Sequence, residues 1–143
     1  MKSISSIPKM INKYKVLALI PARGKSLELK NKNLKKFLKK PLVKWSYDAA
    51  NKSKFIDKVI VSSDSKEILD LGKKYKKFII SKRPRNLSTR HINMIDVINF
   101  ELNKNSDYDI LILLQPTSPL RSANDIDKCL KLMIKKQRLS AVS

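Results

Sequence analysis

The chain has 143 residues, enough for one domain with a real core, and its 42% hydrophobic content is ordinary for a soluble globular fold. No apolar run approaches the ~20 residues of a membrane span, and a single cysteine with a single histidine makes neither an internal disulfide nor a zinc site. The net charge is +20, but lysine pairs such as Lys35-Lys36, Lys73-Lys74 and Lys135-Lys136 are spread along the chain, and the few aromatics do not interleave with them, so a nucleic-acid module is not indicated.

Residues 1–14 are polar and basic, lack the apolar middle of a secretory signal, and read as a flexible lead-in, with a cytoplasmic location as the default. The run "KVLALI" (15–20) predicts a strand buried on both faces. A loop over 21–40 follows. "PLVKWSYDAANKS" (41–53) predicts a helix with Pro41 in its first turn and Leu42, Trp45 and Ala49 inward. "DKVIVSS" (57–63) is a second strand. A helix over 65–75 starts from Asp64 as N-cap, with Glu67 three residues on. "KFIIS" (77–81) is a third strand, and 93–105 a helix with Ile95, Ile98 and Leu102 on its inner side. "YDILILLQ" (108–115) reads as the strongest strand. A helix over 123–137 turns Ile126, Leu130, Met133 and Ile134 inward, and carries Cys129 as a small buried hydrophobe. The closing "LSAVS" resembles the start of a fifth strand.

Alternating strands and helices of these lengths predict an α/β fold: a Rossmann-like, mainly parallel sheet with helices on both faces, occupying 15–143. Ligands of such sheets bind beyond the carboxyl ends of the strands. Three loops fall there: 21–33, 82–91 and 115–122. The first is basic, with Arg23, Lys25, Lys30 and Lys32, and has one glycine, Gly24, to supply a positive φ. It is neither a Walker loop nor a dinucleotide fingerprint. In "QPTSPLRS" (115–122), two prolines stiffen the turn, and Gln115 offers an amide that donates and accepts.

"ALIPARG-x-S", "KN" at 32–33, "KPLVKWSYDAA", "VIVSSDSKEI", "RP-x-x-L" at 83–87 and "LLQPTSPLR" stand in the order and spacing of the acylneuraminate cytidylyltransferases, and the chain resembles that family from about residue 15 onward. The resemblance implies transfer of CMP from CTP to an acidic nine-carbon (nonulosonic) sugar, with release of pyrophosphate, for surface glycan synthesis. Carried over by position, it implies that Arg23, Gly24, Ser26, Lys32, Asn33, Arg83 and Gln115 contact nucleotide, with Arg23 and Gln115 nearest the reaction. It implies magnesium as cofactor, with ligands expected beyond residue 143, and a homodimer for a full-length protein.

The sequence also departs from the family's pattern. Lys25 stands where relatives have a second glycine, Leu27 where a lysine meets the triphosphate, and Glu28 follows. Losing that lysine removes a charge-assisted contact worth roughly 1.5–3 kcal/mol; Lys25 or Lys30 is placed to compensate. Arg90 replaces an aspartate, and Met94 a serine. With a length short of relatives, the chain reads as the N-terminal part of such an enzyme. The alternative is an inactive homologue or fragment that at most binds nucleotide.

Overall fold

The computed structural model describes residues 10–26 and 28–142; Leu27, Ser143 and residues 1–9, most of the expected lead-in, lie outside the described residues. The rest of that lead-in is not a loose tail. Met10 and Ile11 form part of a helical turn, and Ile11 is buried against Ile134.

In chain order the elements are β1 (Val16–Pro21), β2 (Lys36–Phe37), β3 (Lys40–Pro41), α1 (Leu42–Lys52), β4 (Lys58–Ser63), α2 (Lys66–Gly72), β5 (Phe78–Lys82), α3 (Met94–Lys104), β6 (Ile110–Leu113) and α4 (Ala123–Lys135). Short 3-10 turns stand at Lys32–Leu34 and Arg85–Leu87. Four strands make a parallel sheet in the order β5-β4-β1-β6. β1 is central, and all six of its residues are buried, as its unbroken apolar run requires. Ala18 lies opposite Val59 on one side and Ile112 on the other.

Alternate residues of β1 feed opposite faces. Val16, Ala18 and Ile20 pack with Val43, Tyr47 and Ala50 of α1, Ile68 of α2, and Ile126 and Leu130 of α4. Leu17 and Leu19 pack with Ile60 on the other face, under Ile98 and Leu102 of α3. Both faces are therefore covered. Among the described residues, no helix is long and apolar enough to cross a membrane.

Several expectations need correcting. The inward face of α1 is Val43, Ser46, Tyr47, Ala49 and Ala50 rather than Leu42 and Trp45. Trp45 instead donates its Nε1–H to the Phe37 carbonyl at 2.9 Å and lies under Lys40, which places it against a β2–β3 hairpin inside the expected loop. Ile95, at the start of α3, is exposed, and the buried positions there are Val97 and Glu101. Asp64 does not cap α2; Ser65 does, accepting from the Ile68 N–H. Cys129 is half-buried. β6 is shorter than its sequence implied, and its residues are only half-buried, because it has one strand neighbour, β1. Residues 139–142 form no strand and are exposed.

The β2–β3 turn places Leu38 at φ 44° and Lys39 at φ 74°. A two-residue hairpin turn of the primed type needs positive φ at both positions, which favours Asn-Gly, not Leu-Lys. Lys39→Gly should therefore stabilise the protein by about 1 kcal/mol and raise Tm by about 3 °C. A thermal melt that drops on this substitution would contradict the strain.

Candidate functional site

The sheet order reverses beside β1: the chain runs outward to β4 and β5, then returns to place β6 on the other flank. A crevice opens at such a switch point beyond the carboxyl ends of the strands. Here a cavity of ≈ 480 Å³ lies between Pro21 at the end of β1, the segment that follows β5, and Gln115, Pro116 and Thr117 beyond β6. That volume is in the range of small-molecule sites.

The first loop is shaped by side chains tying its backbone down. The Ala22 N–H continues the sheet pattern to the Ser62 carbonyl at 2.9 Å. The Gly24 N–H then donates to Asp64 Oδ1 at 2.8 Å. A Cβ at position 24 would lie 2.8 Å from the Cβ of Ser65, closer than real Cβ atoms approach. Glycine is needed there for close packing, since no described glycine has a positive φ. Nor does Lys25, so the loss of a second glycine carries no conformational cost at that position. Among the described residues of the loop, Asn31 is left-handed, at φ 55°. Beyond it, Asn33 reaches back over ten residues and donates its Nδ2–H to the Arg23 carbonyl at 2.9 Å. Arg23 in turn donates Nη1–H to the Thr89 carbonyl at 3.2 Å, joining this loop to the segment after β5.

Arg83 is fixed more firmly. Its backbone N–H continues the sheet pattern to the Ser63 carbonyl at 2.8 Å. The side chain is 4% exposed, donates Nε–H to Ser62 Oγ at 3.1 Å, and donates Nη2–H to the Ser62 carbonyl at 2.8 Å. Among the described residues Nη1 has no protein partner, and Arg83 borders the cavity. Burial pulls the guanidinium below its usual pKa, opposed by Asp64 and Glu101 and reinforced by Arg23. Glu101 on α3 is itself buried, with Oε1 accepting from Ser81 Oγ at 2.9 Å. Two carboxylates thus stand behind a buried cation.

Six of the seven candidates, Arg23, Ser26, Lys32, Asn33, Arg83 and Gln115, border this one cavity. Gly24 does not; its N–H is committed to Asp64, so it shapes the loop rather than cradling a phosphate. Leu27, the altered triphosphate position, lies outside the described residues. The sequence placed the 82–91 loop at the ligand end of the sheet but offered only Arg83 of it as a contact; Leu87, Thr89, Arg90, His91, Ile92 and Met94 also border the cavity. The one signal was "RP-x-x-L", which locates the segment but not its inward face. Arg90 donates Nε–H to His91 Nε2 at 2.9 Å.

Among the described residues the cavity carries four cationic side chains, Arg23, Lys32, Arg83 and Arg90, against one carboxylate, Glu28. Its apolar wall is Leu87, Ile92, Met94 and Val97. Such a site suits a polyanion with a flat, weakly polar part. Among the described residues no three His, Cys, Asp or Glu side chains stand close enough to hold a metal ion.

A family model described as cytidylyltransferase matches residues 17–142. The chain is 37% identical over 119 residues to an N-acylneuraminate cytidylyltransferase of Escherichia coli O18:K1:H7, covering 82% of this chain and 28% of that protein. It is 32% identical over 127 residues to a pseudaminic acid cytidylyltransferase of Campylobacter jejuni serotype O:2, covering 86% of this chain and 55% of that one. The chain thus spans about half or less of the length of these relatives. In fold it matches the structure of a CMP:2-keto-3-deoxy-manno-octonic acid synthetase complexed with CTP, at a TM-score of 0.69 and 24% identity, over 86% of this chain and 48% of that one. With the family model covering nearly the whole chain, and a parallel sheet whose switch-point crevice gathers the expected basic loop, arginine and glutamine, the chain belongs to the cytidylyltransferase family.

Proposed function

We propose that this chain supplies the CTP-binding part of an enzyme that transfers CMP from CTP to a nonulosonic acid of the sialic type. The observation that carries the reading is the convergence of Arg23, Ser26, Lys32, Asn33, Arg83 and Gln115 on one cavity with an excess of positive charge. The names of the relatives, which act on acylneuraminate and pseudaminic acids, support the sugar class.

In this reading the cytosine lies against the apolar wall of Leu87, Ile92, Met94 and Val97. The phosphates face Arg23, Ser26 and Lys32. The anomeric hydroxyl oxygen of the sugar attacks the α-phosphorus of CTP. The bond from that phosphorus to the bridging oxygen of the β-phosphate breaks, pyrophosphate leaves with the electron pair, and the hydroxyl proton goes to solvent. Fixed cations stabilise charge as it develops on the departing oxygens, because they need no reorganisation during the step. Arg83, anchored on Ser62, and Arg23, anchored on Thr89, are such fixed cations. Gln115, exposed at the end of β6, orients the junction between nucleotide and sugar. No protein nucleophile takes part.

Calorimetry with CTP, UTP, ATP and GTP at fixed salt tests the nucleotide part of this reading. The expected result is CTP affinity about tenfold or more above ATP, since a purine has to displace the Met94–Val97 wall. Equal binding of all four would reduce the site to a nonselective anion patch. The sugar part is tested by pyrophosphate release from CTP in the full-length protein, with N-acetylneuraminic and pseudaminic acids as alternative acceptors.

A further inference from the structure

Residues 29–47 hold seven lysines and no acid, in a chain with 12 acids in all. Five of those lysines, Lys35, Lys36, Lys39, Lys40 and Lys44, stand on the β2–β3 hairpin or at its borders. Lys40 is paired with Asp48. Among the described residues Lys35, Lys36 and Lys39 have no ion-pair partner, and all three are exposed. On α2, by contrast, Lys66 pairs with Asp70, which also meets Lys73. The charge of the hairpin is not offset locally.

At the tip of this basic hairpin stands an apolar side chain. Leu38 is 64% exposed and belongs to none of the packed apolar clusters. Leu38 and Lys39 fill the two positive-φ positions of the turn, which Asn-Gly would occupy without strain. Strain kept where the fold gains nothing points to a function for the residues that cause it. The aromatic rings beside them are already engaged. Trp45 meets Phe37 edge to face, with centroids 6.0 Å apart, and lies under Lys40 Nζ at 3.8 Å. These rings are not free to stack on nucleic-acid bases. What the hairpin presents outward is one aliphatic side chain among lysines.

An apolar tip with cations around it suits a bilayer that carries anionic headgroups. We propose that the β2–β3 hairpin docks this chain on an anionic phospholipid surface, with Leu38 inserted and Lys35, Lys36 and Lys39 at the level of the headgroups. The lysine ammonium groups meet lipid phosphates, and their stems cover apolar surface around Leu38. A purely electrostatic partner, such as a polynucleotide, has no use for the leucine. The contact is peripheral and reversible, since one leucine and a few lysines fall far short of a spanning segment. None of these residues borders the nucleotide cavity, so the docking surface stands or falls apart from the nucleotide reading.

Co-sedimentation of the chain with phosphatidylcholine vesicles, with and without about 30% phosphatidylglycerol, tests this. Trp45 is the chain's one tryptophan, so its emission reports from beside the hairpin. Binding is expected on the anionic vesicles alone, with a blue shift of that emission. It should weaken severalfold between about 0.1 and 0.5 M salt. Lys35→Gln with Lys36→Gln and Lys39→Gln should lose about thirtyfold or more, at roughly fivefold per lysine near a charged surface. Lys58→Gln with Lys74→Gln and Lys76→Gln removes as many exposed lysines away from the hairpin and should lose about twofold or less. Leu38→Asn keeps every lysine and suits the positive φ, so it should melt at or above the parent yet bind about threefold or more weakly. Absence of binding by the parent, or equal losses in the two triple variants, overturns the hairpin as a lipid site. Full binding by Leu38→Asn, or vesicle binding that leaves Trp45 emission unchanged, overturns the insertion of its tip. Binding to polyuridylate with none to vesicles would assign the patch to nucleic acid and overturn the proposal.

Discussion

Arg83→Met is expected to lower both stability and nucleotide affinity, and to lower them through one cause. The guanidinium is buried, bonded twice to Ser62, and faced by Asp64 and Glu101. Methionine fills much of the volume but returns neither bond. Ser62 is itself wholly buried, so its carbonyl loses a charged donor that water cannot easily replace. Hydrogen bonds from charged groups are worth about 1.5–3 kcal/mol, and the buried Glu101 loses a nearby positive charge while keeping Lys104 at 3.8 Å, so about 2–4 kcal/mol should disappear. For a chain of this size that is a fall of about 6–12 °C in Tm. CTP affinity should fall by about tenfold or more, because the fixed cation of the cavity is gone. Arg83→Lys should rescue little of either effect, since an ammonium cannot donate in the same plane to both the Oγ and the carbonyl of Ser62. A methionine variant that melts with the parent would show that the arginine is not held as described.

Gly24→Ala separates packing from backbone freedom. Position 24 has an ordinary φ, so alanine meets no conformational penalty there. The obstacle is the Cβ of Ser65, 2.8 Å away at the start of α2, which belongs to a capped helix and cannot swing aside. Overpacking of this kind costs about 1–3 kcal/mol. The strain falls on the bond from Gly24 to Asp64 and displaces Arg23 next to it, so nucleotide binding should weaken out of proportion to stability. Ser65→Gly removes the offending atom, and glycine is a tolerable N-cap that costs only a few tenths of a kcal/mol. The double variant should therefore recover most of both losses, a coupling that a double-mutant cycle reads directly. An alanine variant indistinguishable from the parent, or a double variant with simply additive losses, would mean that the loop is not pinned against α2.

Much of the fold was legible because the central strand is extreme. An unbroken apolar run at 16–20 reads as a strand with cover on both faces, and the helical periodicities along the chain supply that cover. The places where the reading failed share a cause: each depends on which partner an element meets, which periodicity cannot tell. Trp45 has the spacing of a core residue, yet packs on a hairpin whose turn, Leu38-Lys39, lacks any turn residue and so gave no warning. The run at 108–115 reads as the strongest strand, yet among the described residues it lies at the sheet's edge, because sheet position is a matter of topology rather than hydrophobicity. Asp64 is a reasonable helix cap by spacing, but Ser65, one residue on, takes that place and frees the carboxylate for the Gly24 N–H.

The site divides in the same way. Arg23, Ser26, Lys32, Asn33, Arg83 and Gln115 were named from three loops up to 92 positions apart in the chain, and the parallel sheet brings them to one cavity. The opposing wall was legible as a loop at the ligand end of the sheet, but not residue by residue. Nothing in "STRHINM" signals that Thr89, Arg90, His91 and Met94 face Arg23, and the contact that places them is made by a backbone carbonyl. Arg90 stood out only as a departure from the pattern of relatives. In the structure it borders the cavity.

The most direct test of the central claim is a crystal of the chain soaked with CTP. The account predicts a nucleotide at the carboxyl ends of β1 and β6, its base against Met94 and Val97 and its phosphates reaching Arg23, Ser26 and Lys32. CTP bound elsewhere on this lysine-rich surface, with the crevice between Arg23, Arg83 and Gln115 left to solvent, would contradict it.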